Sequence, residues 1–316
     1  MSWKKWSYMD HWVTRTPQGP QPPSFNRAHM DNYVRQLSSL GFTGFDTFFF
    51  SIYKYAGMYG SIKGFENFLR DQGFEKIVSV FLAYPYATKF TAPHRPETHE
   101  RIIADCERIF DSVKDLSVEN FIVMPTSTCF QIEPVTDEQI KITADLWNRV
   151  GVISKKRGMT TSCHFEFWGG IRTREQLDLF LEYTDPEVVS MIIDTAQHVI
   201  AGVDPVQFYR DHHKRCSGFH LKDCQRVDTQ EAYRTPPDPE LMSRGVHRWF
   251  YEMGTGKGLV DYPALMRAIV ETGYDGWLTI EHDQAEYDGG SYAEATCVAK
   301  WYADRVIADV RAEASA

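Results

Sequence analysis

Segments of strand length and segments of helical period alternate along this chain eight times. The strand candidates are Lys5–Met9, Phe42–Phe50, Lys76–Ala83, Asn120–Met124, Thr161–Glu166, Val189–Asp194, Ser217–His220 and Trp277–Glu281. Between them lie apolar stripes at three- and four-residue spacing, such as Met30, Tyr33, Val34, Leu37 and Leu40, closed by Gly41. Ser24 is the expected cap of that first helix. Thr136 with Gln139, and Thr173 with Gln176, have capping-box spacing. Asp204 before Pro205 marks another helix start, and Asp261 with Pro263 a further one. Strand-then-helix alternation implies a parallel sheet, and eight units imply closure into a (β/α)8 TIM barrel. An open doubly wound sheet is the alternative, weakened because no glycine-rich phosphate loop follows the first strand. No low-complexity linker divides the chain, so residues 1–316 are expected to form one barrel domain. Its one long insertion runs from about 223 to 260 and is rich in Arg, His, Pro and aromatics. A loop of that length is expected to be a lid, a binding loop or an interface.

Four consecutive strand candidates in the second half end on metal-ligand side chains: Glu166, Asp194, His220 and Glu281. One such carboxylate alone is more often a helix cap or a surface charge. Four on successive strands place one ligand each at the C-terminal mouth, where barrel active sites sit. Three carboxylates and one imidazole favour Mn²⁺ or Mg²⁺, with Zn²⁺, Co²⁺ and Fe²⁺ as alternatives. Such a set leaves coordination positions open to a chelating substrate, for which the ion would act as a Lewis acid. His164 lies two residues before Glu166 and points the same way on an extended strand. It reads either as a general base or as a buried, hydrogen-bonded histidine. His198 and Lys222 follow ligand positions and are expected at the mouth, binding a substrate hydroxyl or stabilising an enolate. For Lys222 a salt-bridged rim lysine is the competing reading. Trp12, Phe48, Phe49, Tyr53, Tyr55, Tyr84, Tyr86 and Trp168 are the mouth aromatics, suited to sugar faces and flat aglycones or simply to filling the barrel top.

A net charge of −9 argues against a nucleic-acid partner, whose affinity would come largely from Lys and Arg on phosphates. No apolar run approaches the length of a membrane span, and the N-terminus lacks the apolar core of a signal peptide. The six cysteines form no CxxC pair and read as reduced thiols, which points to a cytoplasmic protein.

The phrases DTAQH (Asp194–His198), HLKD (His220–Asp223) and GTGKGLVDYPALMRAIVETGYDGWLTIEHD (Gly254–Asp283), together with Glu166, resemble the sugar-phosphate isomerase/epimerase group with the xylose-isomerase-like barrel. The resemblance implies that Glu166, Asp194, His220 and Glu281 hold one divalent metal. It also implies that a base removes a proton beside a carbonyl or hydroxyl which that metal holds. Among the members, abasic-site endonucleases are set aside, because FLAYPY (Phe81–Tyr86) and IVMPTS (Ile122–Ser127) lack their extra histidines. Inosose dehydratases share the DPE, GVDP and HLKD phrases, but carry their ligand glutamate near the position of Arg172. Ketose epimerases carry a strand-four glutamate where this chain has Met124 and Pro125. The chain most resembles the α subunit of C-glycoside deglycosidases, through HFE (His164–Glu166) and the aromatic first strand. That resemblance implies a Mn²⁺-dependent lyase, eliminating an aromatic aglycone from a 3-oxo-glucoside with His164 as base. Catalysis would also draw on Glu166 and Glu281, with Trp12, Trp168, His198 and Lys222 binding substrate. It further implies a smaller, β-rich partner subunit. The alternative is a ketose 3-epimerase, sugar isomerase or inosose-dehydratase-like enzyme.

Overall fold

The computed structural model describes residues 3–10, 26–82, 92–126, 135–167, 169–229, 249–283, 285 and 291–314. Eight parallel strands close a barrel: β1 (Trp6–Met9), β2 (Gly44–Phe48), β3 (Lys76–Leu82), β4 (Asn120–Val123), β5 (Thr160–His164), β6 (Val189–Asp194), β7 (Cys216–Leu221) and β10 (Leu278–Ile280). Neighbours follow chain order, and β10 closes on β1 through Trp6↔Leu278 and Tyr8↔Ile280. A two-residue antiparallel ribbon, β8 (Asp223–Cys224) with β9 (Phe250–Tyr251), lies outside the barrel. It ties together the two ends of the insertion expected at 223–260. Residues 230–248, the middle of that insertion, lie outside the described residues.

The expected helix signals act as local physics requires. Both capping boxes form, Thr136 with Gln139 and Thr173 with Gln176. Asp204 and Asp261 cap their helices through side-chain oxygens, each followed by a proline in the first turn. Gly41, Gly73 and Gly158 take positive φ at helix ends. Two expectations differ. Asn26, not Ser24, caps α1 (Arg27–Ser39) by accepting from the His29 N–H. The run Phe42–Phe50 splits, with β2 ending at Phe48 and a helix (Phe49–Tyr59) beginning at once. Consecutive phenylalanines carry no period, so the change from pleat to helix there leaves no trace in hydropathy.

Outward side chains such as Phe45, Ile77, Val80, Phe121, Cys163, Ile193 and Phe219 join the helices in one large core. Inward side chains are stacked by height. At the floor Trp277 crosses the barrel, and a Cβ on Gly44 would stand 2.6 Å from its ring. Above it sits Asp46, fully buried, accepting from Ser7, Ser79 and Thr279 hydroxyls. Burial pushes this carboxyl above its ordinary pKa, although nearby His220 and the hydroxyls oppose the shift. The upper layer holds Met9, Phe48, Phe81, Ile122 and Ile192 as a separate apolar cluster, beside His164, His220 and Glu281. A register shift between Met191 and Ile192 sets Asp194 level with His220.

Gly44→Ala should destabilise the barrel by about 1–3 kcal/mol, since the indole is wedged between strands and cannot yield. Urea unfolding monitored by tryptophan fluorescence checks this. An unchanged midpoint would mean that the floor is loosely packed.

Candidate metal centre

Strand alternation carries the site. His220 and Lys222 point inward two residues apart, as do Glu281 and Asp283. His282 between them turns outward, with Nδ1 2.9 Å from the Tyr8 hydroxyl. One ligand atom each from His164, Asp194, His220 and Glu281 falls within a mutual 4.8 Å, and all four residues are buried. His220 Nδ1 lies 2.7 Å from Glu281 Oε2, and His164 Nε2 lies 3.1 Å from Asp194 Oδ2. Neither ring nitrogen of His220 makes a well-formed hydrogen bond among the described residues. Buried imidazole nitrogens without such bonds, facing two carboxylates, are the donor chemistry that a divalent cation takes.

Glu166 stands one contact further out. Its Oε1 is 3.3 Å from His164 Nδ1, while its other oxygen accepts from Gln197 Nε2. The described quartet thus takes its β5-end member from His164, with Glu166 reaching the cluster through that imidazole. Burial holds the Glu166 carboxyl above its ordinary pKa, against the opposing pull of His164 and Lys222. Burial pulls the His164 imidazole down, but hydrogen bonds and charge from Asp194 and Glu166 outweigh it, raising it to about 10.

Lys222 reaches into the same cluster. Its Nζ is 2.5 Å from Asp283 Oδ2, 2.9 Å from Asp194 Oδ2 and 3.1 Å from Glu281 Oε2. The ammonium also lies 4.7 Å from the centre of the Phe250 ring. Burial disfavours its charge, yet Asp194, Asp283 and Glu281 more than offset this and hold its pKa well above the ordinary value. Phe250 belongs to a second apolar cluster with Phe167, Ala196, Ile200, Cys224 and Trp249, so the ribbon forms a wall beside Lys222. Asp223 anchors the far side of the ribbon by accepting from the Val260 N–H, and only glycine fits at 258, where a Cβ would overlap that carboxylate.

The structure does not bring His198 to the mouth. A short helix, α7 (Thr195–Ile200), begins directly after Asp194 and swings its ring behind β6. There His198 is buried against Phe208 and Phe165, and its Nδ1 donates to the Asp194 carbonyl. Burial lowers its pKa to about 4. Trp12, Trp168, Tyr84 and Tyr86 lie outside the described residues. Tyr53 is exposed and Tyr55 is buried in the main core, donating to Asp10. Three residues at the site escaped the sequence reading: Asp283, Phe250 and Gln197. Asp283 was legible as the second inward position of the pattern EHD. Gln197 was legible only as the third residue of a helix capped by Asp194, a helix too short to show a period.

Residues 34–299 match the family described as xylose isomerase-like TIM barrel. The inosose dehydratase of Lacticaseibacillus casei is 29% identical over 157 residues, which is 48% of this chain and 51% of that protein. The chain thus spans about half the length of the curated relatives that it matches first. Among solved structures, an L-ribulose 3-epimerase superposes with a TM-score of 0.73 at 14% identity, covering 100% of this chain and 97% of that one. The IOLI protein with a zinc atom gives 0.72 at 14%, covering 97% and 99%. At such identities the two structures attest the fold alone.

Titration of the purified chain with Mn²⁺ in a calorimeter should show one site per chain. Asp194→Asn, His220→Gln and Glu281→Gln should each weaken it by more than the roughly 10- to 100-fold that loss of an outer partner costs. Binding unchanged in any of the three would remove that residue from the ligand set.

Proposed function

The chain belongs to the xylose isomerase-like TIM barrel family, and from that premise we propose that it is a divalent-metal-dependent lyase. It would eliminate water from a keto sugar or keto cyclitol after removing a proton beside the carbonyl. The observation that carries this reading is the one-sidedness of the mouth among the described residues. The clustered ionisable side chains come from the contiguous arc β5, β6, β7 and β10. Among the described residues the opposite arc, β1 to β4, presents Met9, Phe48, Phe81, Ile122 and Met124, which Ile192 of β6 joins in one apolar cluster. Epimerisation requires acid–base groups on both faces of the reacting carbon, whereas elimination requires one base and a leaving group. The likeness to inosose dehydratases supports the same choice.

A divalent ion at the cluster would supply Lewis-acid polarisation of a carbonyl oxygen. Two imidazoles beside two carboxylates suit Mn²⁺, Zn²⁺ or Co²⁺ better than Mg²⁺. Asp194, His220 and Glu281 are ligands in either arrangement of the β5 end. The pair His164 and Glu166 divides the remaining tasks, one completing the ligand set and the other accepting the proton. Lys222, held cationic by three carboxylates, faces the charge that develops on an enolate oxygen. The ribbon residue Phe250 keeps water from that ammonium.

A second reading rests on a separate observation. Phe50, Phe48 and Phe81 form a ladder of rings, with centroids 5.1 and 5.3 Å apart and planes within 8° and 19°. Its inner end meets His164 at 5.1 Å and His220 at 6.2 Å, while Phe50 is 36% exposed. Such a wall suits a flat aromatic leaving group, as in elimination from a 3-oxo C-glucoside. That reading would bring with it a smaller partner subunit at the 223–260 insertion.

An NMR time course in D₂O with Mn²⁺, an inosose, a free ketose and a 3-oxo aryl C-glucoside separates these reactions. Loss of water from the inosose is the expected result, and release of the aromatic ring would establish the second reading. Deuterium entering the ketose with inversion and no elimination would contradict both. Lys222→Met should slow the elimination about 10²- to 10³-fold. If the aromatic substrate reacts, Phe48→Leu should raise its KM about 2- to 10-fold and that of the inosose by less.

A further inference from the structure

Gln197 makes three hydrogen bonds at the site, one through its backbone and two through its side chain. Its backbone N–H donates to Asp194 Oδ1 at 3.0 Å, which leaves Oδ2 turned toward His164 and Lys222. Its side-chain Oε1 accepts from the Phe167 N–H at 3.0 Å, and its Nε2 donates to Glu166 Oε2. The carboxamide is therefore held at its acceptor end by backbone. The Phe167 contact also settles which way the amide faces, because only its oxygen can accept that N–H. Gln197 is 3% exposed and Glu166 is 7% exposed, so water does not compete freely for either group. An amide also carries no charge at any working pH, unlike the imidazole or carboxylate that could make a similar bond.

We infer that Gln197 is a positioning residue which locks the Glu166 carboxylate so that one oxygen, Oε1, faces the metal cluster. The inference rests on the reading of that cluster as a divalent-metal site. It holds whether Glu166 touches the ion itself or acts on it through His164, because both routes use the same oxygen. Outer partners that orient a ligand or its neighbour typically govern about 10- to 100-fold in metal affinity. With Gln197 removed, Glu166 Oε2 loses the partner that fixes the rotation of the carboxylate.

The test is Mn²⁺ titration of the full chain by calorimetry, on the parent, Gln197→Met, Glu166→Gln and the double variant. Gln197→Met should bind Mn²⁺ about 10- to 100-fold more weakly, a loss that persists below the lowered melting temperature which the unpaired Phe167 N–H gives it in chelator. Gln197→Glu, which keeps the acceptor for the Phe167 N–H but sets a second carboxylate against Glu166, should bind no better than Gln197→Met. If Gln197 acts through Glu166, the double variant should bind no worse than Glu166→Gln alone. Equal Mn²⁺ affinity in the parent and Gln197→Met, or losses that simply add in the double variant, would overturn the inference. A parent that binds no Mn²⁺, Zn²⁺ or Co²⁺ would overturn the metal reading, and this inference with it.

Discussion

Four carboxylates share the barrel mouth with one ammonium and two imidazoles, and none of the four is more than 7% exposed. Charges buried without partners are strongly destabilising, so such a group persists only if each member is paired. Here Lys222 bridges Asp194, Glu281 and Asp283, while His164 spans Asp194 and Glu166. Much of the surrounding architecture serves this arrangement. The register shift in β6 and β7 brings Asp194 beside His220. The cap at α7 fixes which Asp194 oxygen faces inward. Phe250 covers the ammonium from the ribbon side. A site so dense in carboxylates binds a dication by the same electrostatics that now holds the lysine.

The division of the mouth into an ionisable arc and an apolar arc gives the substrate an orientation. In the proposed elimination a carbonyl and its neighbouring hydroxyl would lie on the side of β5 to β10, and the part that leaves would lie toward Met9, Phe48, Phe81 and Ile122. This asymmetry separates the chemistry open to the chain more sharply than the fold does, since barrels of this kind support several reactions.

Much of this was legible in the sequence, and the exceptions have physical causes. Val189–Asp194 coincides with β6 because a continuous apolar run ends on a residue that is both candidate ligand and helix cap. Glu166 and Glu281 lie just beyond the last paired residues of their strands, at His164 and Ile280, as rim positions do. The helix Phe49–Tyr59 was hidden in an aromatic run, and α7 was too short for any periodicity to register. The unseen α7 explains why His198 seemed to face the mouth while its neighbour Gln197 in fact does. A one-residue difference along a helix is a turn of about 100°. That His164 stands in the quartet while Glu166 meets it only through that imidazole depends on side-chain rotamers and lay beyond any reading of spacing.

The most direct test of the metal centre is anomalous X-ray scattering from a crystal grown with Mn²⁺. One strong peak is expected within coordinating distance of Asp194, His220 and Glu281, with the Lys222 ammonium displaced toward Asp283. A mouth with no peak, and Lys222 still bridging Asp194 and Glu281, would show that the lysine itself is the resident cation and that the cluster is no metal site.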